Sequence, residues 1–465
     1  MSKASSRLIN GTIVYMIGNM TSKILQMLIL PIITAALVTS EYGYYDLLVT
    51  TISLVTPIIT FQMIEGMFRF MFNTSEEEQK KTVSTVTAFL LGGGVVLGGI
   101  IAILHLVVPE VQYPVLLFLN YVSSIVFNYM QKLARCQQKN KQVAISGVMN
   151  TIVMLGCQAL FLVVFKMGVD GMLLANAISY FVAAGYVGIR LNVTKWLGRK
   201  SVDKSKFFEL IRYSAPLIPN SIGWWFVSSS NRYIITGFLG AAANGVYSIA
   251  GKFSQLLTLV TNVFQLAWQE SAIMEENSEE RDKFYTDTFN SYMKLLLGGY
   301  LVVLPMIKFL IPVLLDESYQ VGWLYNPVLL IGAIFSAFSQ FYGSAYLVFK
   351  KTGGAFTTTV VAAILNVGIG IGLINHLGLF APALGTAASF LIQWVIRAYQ
   401  MKDYFKVRID IKSLSFLLVL MAVSTAIYYQ DNGAYQLISM GVGVIVFVAL
   451  NRKMILPVVK KVLKK

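Results

Sequence analysis

Apolar residues run through this chain in long stretches separated by short charged clusters. Runs long enough to cross a bilayer, about 20 residues each, fall near 8–37, 43–65, 83–108, 113–134, 143–166 and 171–194. A basic break, KWLGRKSVDKSKFFE, interrupts the series. It resumes near 213–236, 246–270, 291–315, 323–349, 355–377, 379–401, 414–430 and 436–456. The pattern predicts an all-α, polytopic membrane protein with 14 transmembrane helices. It also predicts short loops with no room for a catalytic domain.

Composition sharpens this. The 465 residues are 56% hydrophobic and 13% charged, with a mean hydropathy of +0.67. Soluble domains carry about 25% charged residues, and a single core stops growing near ~250–300 residues, so the solvent for these side chains is lipid. The net charge of +15 is then read by topology and not as a nucleic-acid footprint. With both termini cytoplasmic, 29 of the 37 Lys and Arg fall in cytoplasmic segments and Lys166 alone falls outside, the asymmetry of the positive-inside rule. Two cysteines and two histidines lack metal-site spacing and form no disulfide framework.

Two fragments recur. EYGYYDLL (41–48) is similar to ANGVYSIA (243–250), and GVDGMLLANAISYFV (168–182) to GLFAPALGTAASFLI (378–392). Each pair sits between equivalent spans at nearly the same offset. The predicted organisation is a six-helix lobe over 8–194, a basic cytoplasmic linker over 195–212 and a second six-helix lobe over 213–405. An extra transmembrane hairpin over 413–456 and a basic tail over 457–465 follow. Parallel repeats of this kind place a substrate site at the interface between halves.

Seven cations remain inside the spans: Lys23, Arg190, Arg232, Lys252, Lys294, Lys308 and Arg397. Lys23 is about 22 Å along the helix axis from either end of its run, beyond the reach of a lysine stem. Facing lipid there would cost from ~2.5 to well over 10 kcal/mol. It belongs to a polar stripe of Thr12, Tyr15, Asn19, Ser22 and Gln26, which lines either a cavity or a contact with Asp46 or Glu65 on the second span. Arg232 and Lys252, nearer the outside, line the cavity or snorkel. Arg190, Lys294 and Arg397 lie near cytoplasmic ends, where snorkelling suffices, and Lys308 is read as snorkelling outward. Polar residues follow helical spacing on the fourth span (Asn120, Ser124, Asn128, Gln131), the seventh (Ser221, Trp225, Ser228) and the eighth (Ser248, Lys252, Gln255, Thr258, Asn262, Gln265). Such side chains suit either a sugar surface or helix–helix contacts. The run LGGGVVLGGI (91–100) is read as a close-packing surface, since its glycines follow no strand and open no phosphate loop.

The stretches GNMTSKILQMLILPIITAALVTSEYGYYDLL and SSSNRYIITGFLGAAANGVYSIAGKFSQ, with the pattern over about residues 8–405, resemble the multidrug/oligosaccharidyl-lipid/polysaccharide exporter superfamily. Within it the chain is similar to bacterial polysaccharide transporters that flip undecaprenyl-pyrophosphate-linked sugars. Members of the family often carry Asp before the arginine of the second stretch, where this chain has Asn231. The resemblance implies a flippase without ATPase motifs in the bacterial cytoplasmic membrane. It would move an anionic lipid-linked oligosaccharide from the inner to the outer leaflet by alternating access, for cell-surface polysaccharide synthesis. Lys23, Arg232, Lys252 and Arg69 are the expected pyrophosphate ligands. Asn19, Gln26, Asn128, Trp225, Gln255 and Asn262 are the expected sugar-facing residues. No cofactor is expected. Coupling to Na⁺ or H⁺ stays open, with Asp46 and Glu65 as carriers, and a polysaccharide polymerase and glycosyltransferases are candidate partners. The alternatives are a cation-coupled multidrug exporter of the same superfamily and a non-transporting component of a polysaccharide assembly complex.

Overall fold

The computed structural model describes residues 25–72, 74–107, 112–198, 201–275, 279–349, 352–430 and 432–462. Among them every regular element is helical. Eight helices are long and apolar enough to cross a membrane: Glu76–Val107, Asn140–Val164, Gly168–Leu191, Arg281–Leu314, Glu317–Tyr346, Gly353–Leu377, Ile411–Tyr428 and Gly433–Arg452. A bent pair, Thr39–Ile59 with Met63–Phe70, makes a ninth candidate. Pro114–Cys136, Ala241–Met274 and Phe380–Met401 have 23, 34 and 22 residues and carry polar side chains such as Asn120, Asn244 and Gln393. The medium is evident on Glu76–Val107, where Leu91, Val95, Ile103 and Leu106 are 62–80% exposed. In water such a stripe is an aggregation surface. In lipid it is the ordinary outside of a span, whose backbone bonds close within the helix.

Internal contacts divide the chain into two compact units, Met1–Trp225 and Phe226–Lys465. The first contains α1 (Leu30–Ala36), α2 (Thr39–Ile59), α3 (Met63–Phe70), α4 (Glu76–Val107), α5 (Pro114–Cys136) and α6 (Asn140–Ala159). A π-helical turn, Leu160–Val164, extends α6, and α7 (Gly168–Leu191), α8 (Lys204–Ser214) and most of α9 (Leu217–Ser228) complete the unit. The second contains α10 (Asn231–Leu239), α11 (Ala241–Met274), α12 (Arg281–Leu314), the short α13 (Glu317–Gln320), α14 (Asn326–Val348), α15 (Thr352–Leu377), α16 (Phe380–Met401), α17 (Ile411–Tyr428) and α18 (Gly433–Val462).

The two recurring fragments perform the same tasks in each unit. α5 and α6 pack on α7, as α14 and α15 pack on α16. Gly168, the first residue of α7, and Gly378, two residues before α16, have φ of 59° and 53°, a conformation that a Cβ would strain. Further into each helix, the Ser179 hydroxyl donates to Asn176 O at 2.8 Å and that of Ser389 to Thr386 O at 3.0 Å. Asn176 donates to the Tyr45 hydroxyl at 2.6 Å, and its counterpart Thr386 hydrogen-bonds to Tyr247. The connections after α7 and α16 also match. Ser84 and Thr85 of α4 bond the backbone of Trp196, Gly198 and Asp203, while Thr286 and Asn290 of α12 bond that of Lys406, Arg408 and Asp410.

One difference between the units lies at α11. α11 runs unbroken for 34 residues, whereas its counterpart breaks into α2 and α3 with a 57° bend. Phe61 and Gln62 at the break have φ of 46° and 54°, where non-glycine residues are held only by their surroundings. Gln62 Nε2 supplies one hold, donating to Ser221 Oγ at 2.7 Å. The glycine run on α4 is only partly a packing surface: Gly93 meets Ile59 and Gly98 meets Phe118, but Gly92, Gly94 and Gly99 face open space. The terminal hairpin packs on α12, where Gly443 lets α18 reach the Leu301 carbonyl and Thr425 of α17 bonds the Tyr300 hydroxyl at 2.7 Å.

Candidate substrate-binding residues

Asn19 and Lys23 lie outside the described residues. In the first unit, α3 and the end of α5 bring charge together. Lys132 Nζ lies 2.7 Å from one carboxylate oxygen of Glu65 and 2.8 Å from the other. The same ammonium sits 5.0 Å from the centre of the Phe68 ring, and the Arg135 guanidinium 5.2 Å from it. Arg69, beside Phe68, is exposed, as is Asn128 one turn before Lys132. Lys132 and Arg135 therefore share the Phe68 ring beside Glu65. Asp46 and Gln26 are half-buried. Trp225 is buried, with its indole N–H donating to Thr50 O at 3.2 Å and Ser53 Oγ at 3.1 Å, so in this conformation the ring packs on α2.

In the second unit, Lys252, Gln255 and Asn262 share one side of α11 by helical spacing; the first two are half-buried and Asn262 is exposed. Arg232 is half-buried and bonds back along the chain to Ser228 O at 3.0 Å. Asn231 is 2% exposed. Its amide nitrogen donates to Pro382 O at 3.1 Å and Thr386 Oγ1 at 2.8 Å, and its oxygen accepts from Asn366 Nδ2 at 3.1 Å. An aspartate could not donate to Pro382 O. This position is a neutral tie between α10, α15 and α16.

Several polar positions on the predicted stripes are helix glue. Asn120 donates to Leu173 O of α7 at 2.8 Å, Gln131 to Ser146 Oγ at 3.3 Å, and Gln265 to Gln340 O at 3.1 Å. One cation expected to snorkel is buried instead, and two others have specific neighbours. Arg397 is 2% exposed and donates to Thr358 Oγ1, Ser339 O and Thr359 Oγ1; Gly343 leaves the room that its guanidinium fills. Lys294 pairs with Asp410 at 2.8 Å. Lys308 lies 3.4 Å from the Trp323 ring centre.

Residues 8–268 match the model of the family described as polysaccharide biosynthesis protein. The chain belongs to that family. A probable low-salt glycan biosynthesis flippase, Agl15 of Haloferax volcanii, is 21% identical over 244 residues. The match covers 50% of this chain and 51% of that protein, so the chain spans about half the length of this curated relative. Among solved structures, the inward closed conformation of the lipid II flippase MurJ aligns with a TM-score of 0.69 at 14% identity, covering 96% of this chain and all of that one. An inward-facing multidrug resistance MATE transporter of the MOP superfamily aligns at 0.64, with 13% identity over 82% of this chain and 95% of its own. A mutant form of the Vibrio cholerae MATE transporter VcmN aligns at 0.60, with 12% identity over 86% and 97%. At these identities the structures establish the fold. It is a multi-pass helical membrane fold shared with the MurJ and MATE structures.

For this family member the residue missed by sequence reasoning is Lys132. Sequence places it among the cytoplasmic charges, yet it stands four residues beyond Asn128 on the same stripe, with Arg135 three further. Extending the stripe to the end of its helix finds both. The helical spacing places Glu65 and Arg69 on one face of α3, and α5 then sets Lys132 against Glu65.

Proposed function

We propose that this protein carries an anionic, polyprenyl-pyrophosphate-linked oligosaccharide from the inner to the outer leaflet of the bacterial cytoplasmic membrane. The full span count is fourteen, both termini are cytoplasmic, and two six-helix lobes alternate access around a cationic cavity. The observation that carries this reading is the family match, on a fold shared with flippases. Lys23, with Arg232, Lys252 and Arg69, holds the pyrophosphate. Asn19, Gln26, Asn128, Gln255 and Asn262 face the sugars, and Trp225 joins them once it leaves α2. The terminal hairpin leaves a recess of only about 130 Å³ against α12. An apolar crevice of about 420 Å³ among α2, α4 and α5, bordered by Leu48, Val55, Leu97 and Tyr121, is the roomier seat for part of the polyprenyl tail.

The physics supplies a direction. An anion moving outward is driven by a negative-inside potential and gains ~2.3 kcal/mol per charge per 100 mV, and an empty cationic cavity is drawn back inward. Asp46 is the remaining candidate carrier for a coupled Na⁺ or H⁺, since Glu65 is occupied by Lys132. The MATE likeness favours a second reading, multidrug export, whose cationic substrates call for carboxylates and not lysines.

The test is Lys23→Gln in a strain lacking the native copy. Surface polymer should disappear while the protein remains in the membrane at normal level, and drug susceptibility should not change. Normal polymer, or altered drug susceptibility with intact polymer, would overturn the assignment.

A further inference from the structure

The connection over 193–214 is fastened on its inner side and open on its outer side. Inward, Leu210 and Ser214 are fully buried, Ser214 against Gly66, and Phe207 packs on Phe89 with ring centres 5.8 Å apart. Lys206 ties the helix to Glu78 of α4 at 3.2 Å and to its own Glu209 at 2.8 Å. Asp203 caps α8 by accepting from Lys206 N at 2.7 Å. Both acids of the segment are thus engaged.

Outward, Lys204, Phe208 and Arg212 follow one another at four-residue spacing along α8, a single exposed stripe. Phe208 is 58% exposed, and Leu197, Val202 and Tyr213 are 40–47% exposed around it. Lys195, Lys204 and Arg212 are exposed and have no ion-pair partner among the described residues. α8 lies against α4 between Glu78 and Phe89, where the charged run SEEEQKK gives way to the apolar span, the composition of a headgroup level. A phenylalanine framed by unpaired cations suits that level, with the ring entering the acyl boundary and the charges meeting phosphates.

We propose that this outer face is a docking surface for anionic phospholipid headgroups of the leaflet at which α4 begins. The full-length protein is placed in nanodiscs of phosphatidylcholine with increasing phosphatidylglycerol, then released into detergent, and retained lipids are counted by native mass spectrometry. Phosphatidylglycerol should be retained over phosphatidylcholine. Replacing Lys195, Lys204 and Arg212 together by Gln should weaken retention about 100-fold, near fivefold per cation, and Phe208→Ser about tenfold. All four side chains are exposed, so the melting temperature should not move. Equal retention of the two lipids, undiminished retention by the triple variant, or capture of a soluble acidic protein in place of lipid would each overturn the proposal.

Discussion

The Glu65–Lys132 pair separates two roles for the carboxylate. If Glu65 serves as the partner of Lys132, the damage from losing either one is the stray charge left behind, and removing both should largely repair it. At 2.8 Å and an effective dielectric of about 20, the gross attraction is ~6 kcal/mol, most of it offset by lost hydration. The lysine is 18% exposed and the glutamate 40%, between an exposed pair worth ~0–1 kcal/mol and a buried one costing ~3–5 kcal/mol to break. The expected coupling is about 1–3 kcal/mol. Glu65→Gln, Lys132→Gln and the double variant are compared by thermal melting of purified protein and by surface polymer in cells. Each single variant should melt lower and export less. The double variant should recover most of both. If it exports no better than Glu65→Gln, the carboxylate acts on its own, as an ion carrier would, and the ion-pair reasoning is refuted.

Two further substitutions test the packing of the second unit. A Cβ at Gly443 would collide with the Leu301 carbonyl oxygen and lie 2.7 Å from its carbonyl carbon, backbone atoms that no rotamer change can move. Gly443→Ala should therefore cost about 1–3 kcal/mol, read as a lower melting temperature, while Gly441→Ala, with open space around it, should be neutral; equal effects would discount the close approach of α18. Asn231→Asp removes the donors to Pro382 O and Thr386 Oγ1 and sets a carboxylate among oxygens. It should cost about 3–5 kcal/mol and melt below Asn231→Ala, and an aspartate variant as stable as the parent would show that the tie is dispensable.

What the sequence revealed follows from which constraints are local. Bilayer thickness acts on every span separately, so the apolar runs could be counted without any partner in view. The repeat was legible at Gly168 and Gly378 because a left-handed backbone needs glycine, and at Ser179 and Ser389 because a hydroxyl bonding back along its own helix needs no neighbour. Choices that depend on a second helix were not legible. Asn120 and Asn128 share a stripe with four-residue spacing, but eight residues advance the helix by about 80° beyond full turns. The first therefore ends against α7 while the second is exposed, and nothing in either residue type says which. Arg397 looked free to snorkel because its position near the end of a run is local information. Its actual partners, Ser339, Thr358 and Thr359, lie on α14 and α15, and the room it occupies is made by the absent side chain of Gly343. The break at Phe61–Gln62 was hidden for the same reason, since neither residue favours a left-handed backbone and the hydroxyl that holds Gln62 belongs to Ser221, on α9. An element that must be held out of its intrinsic conformation by a distant contact can be released by losing that contact. A conformational change therefore costs less at the α2–α3 break than in its unbroken counterpart in the second unit.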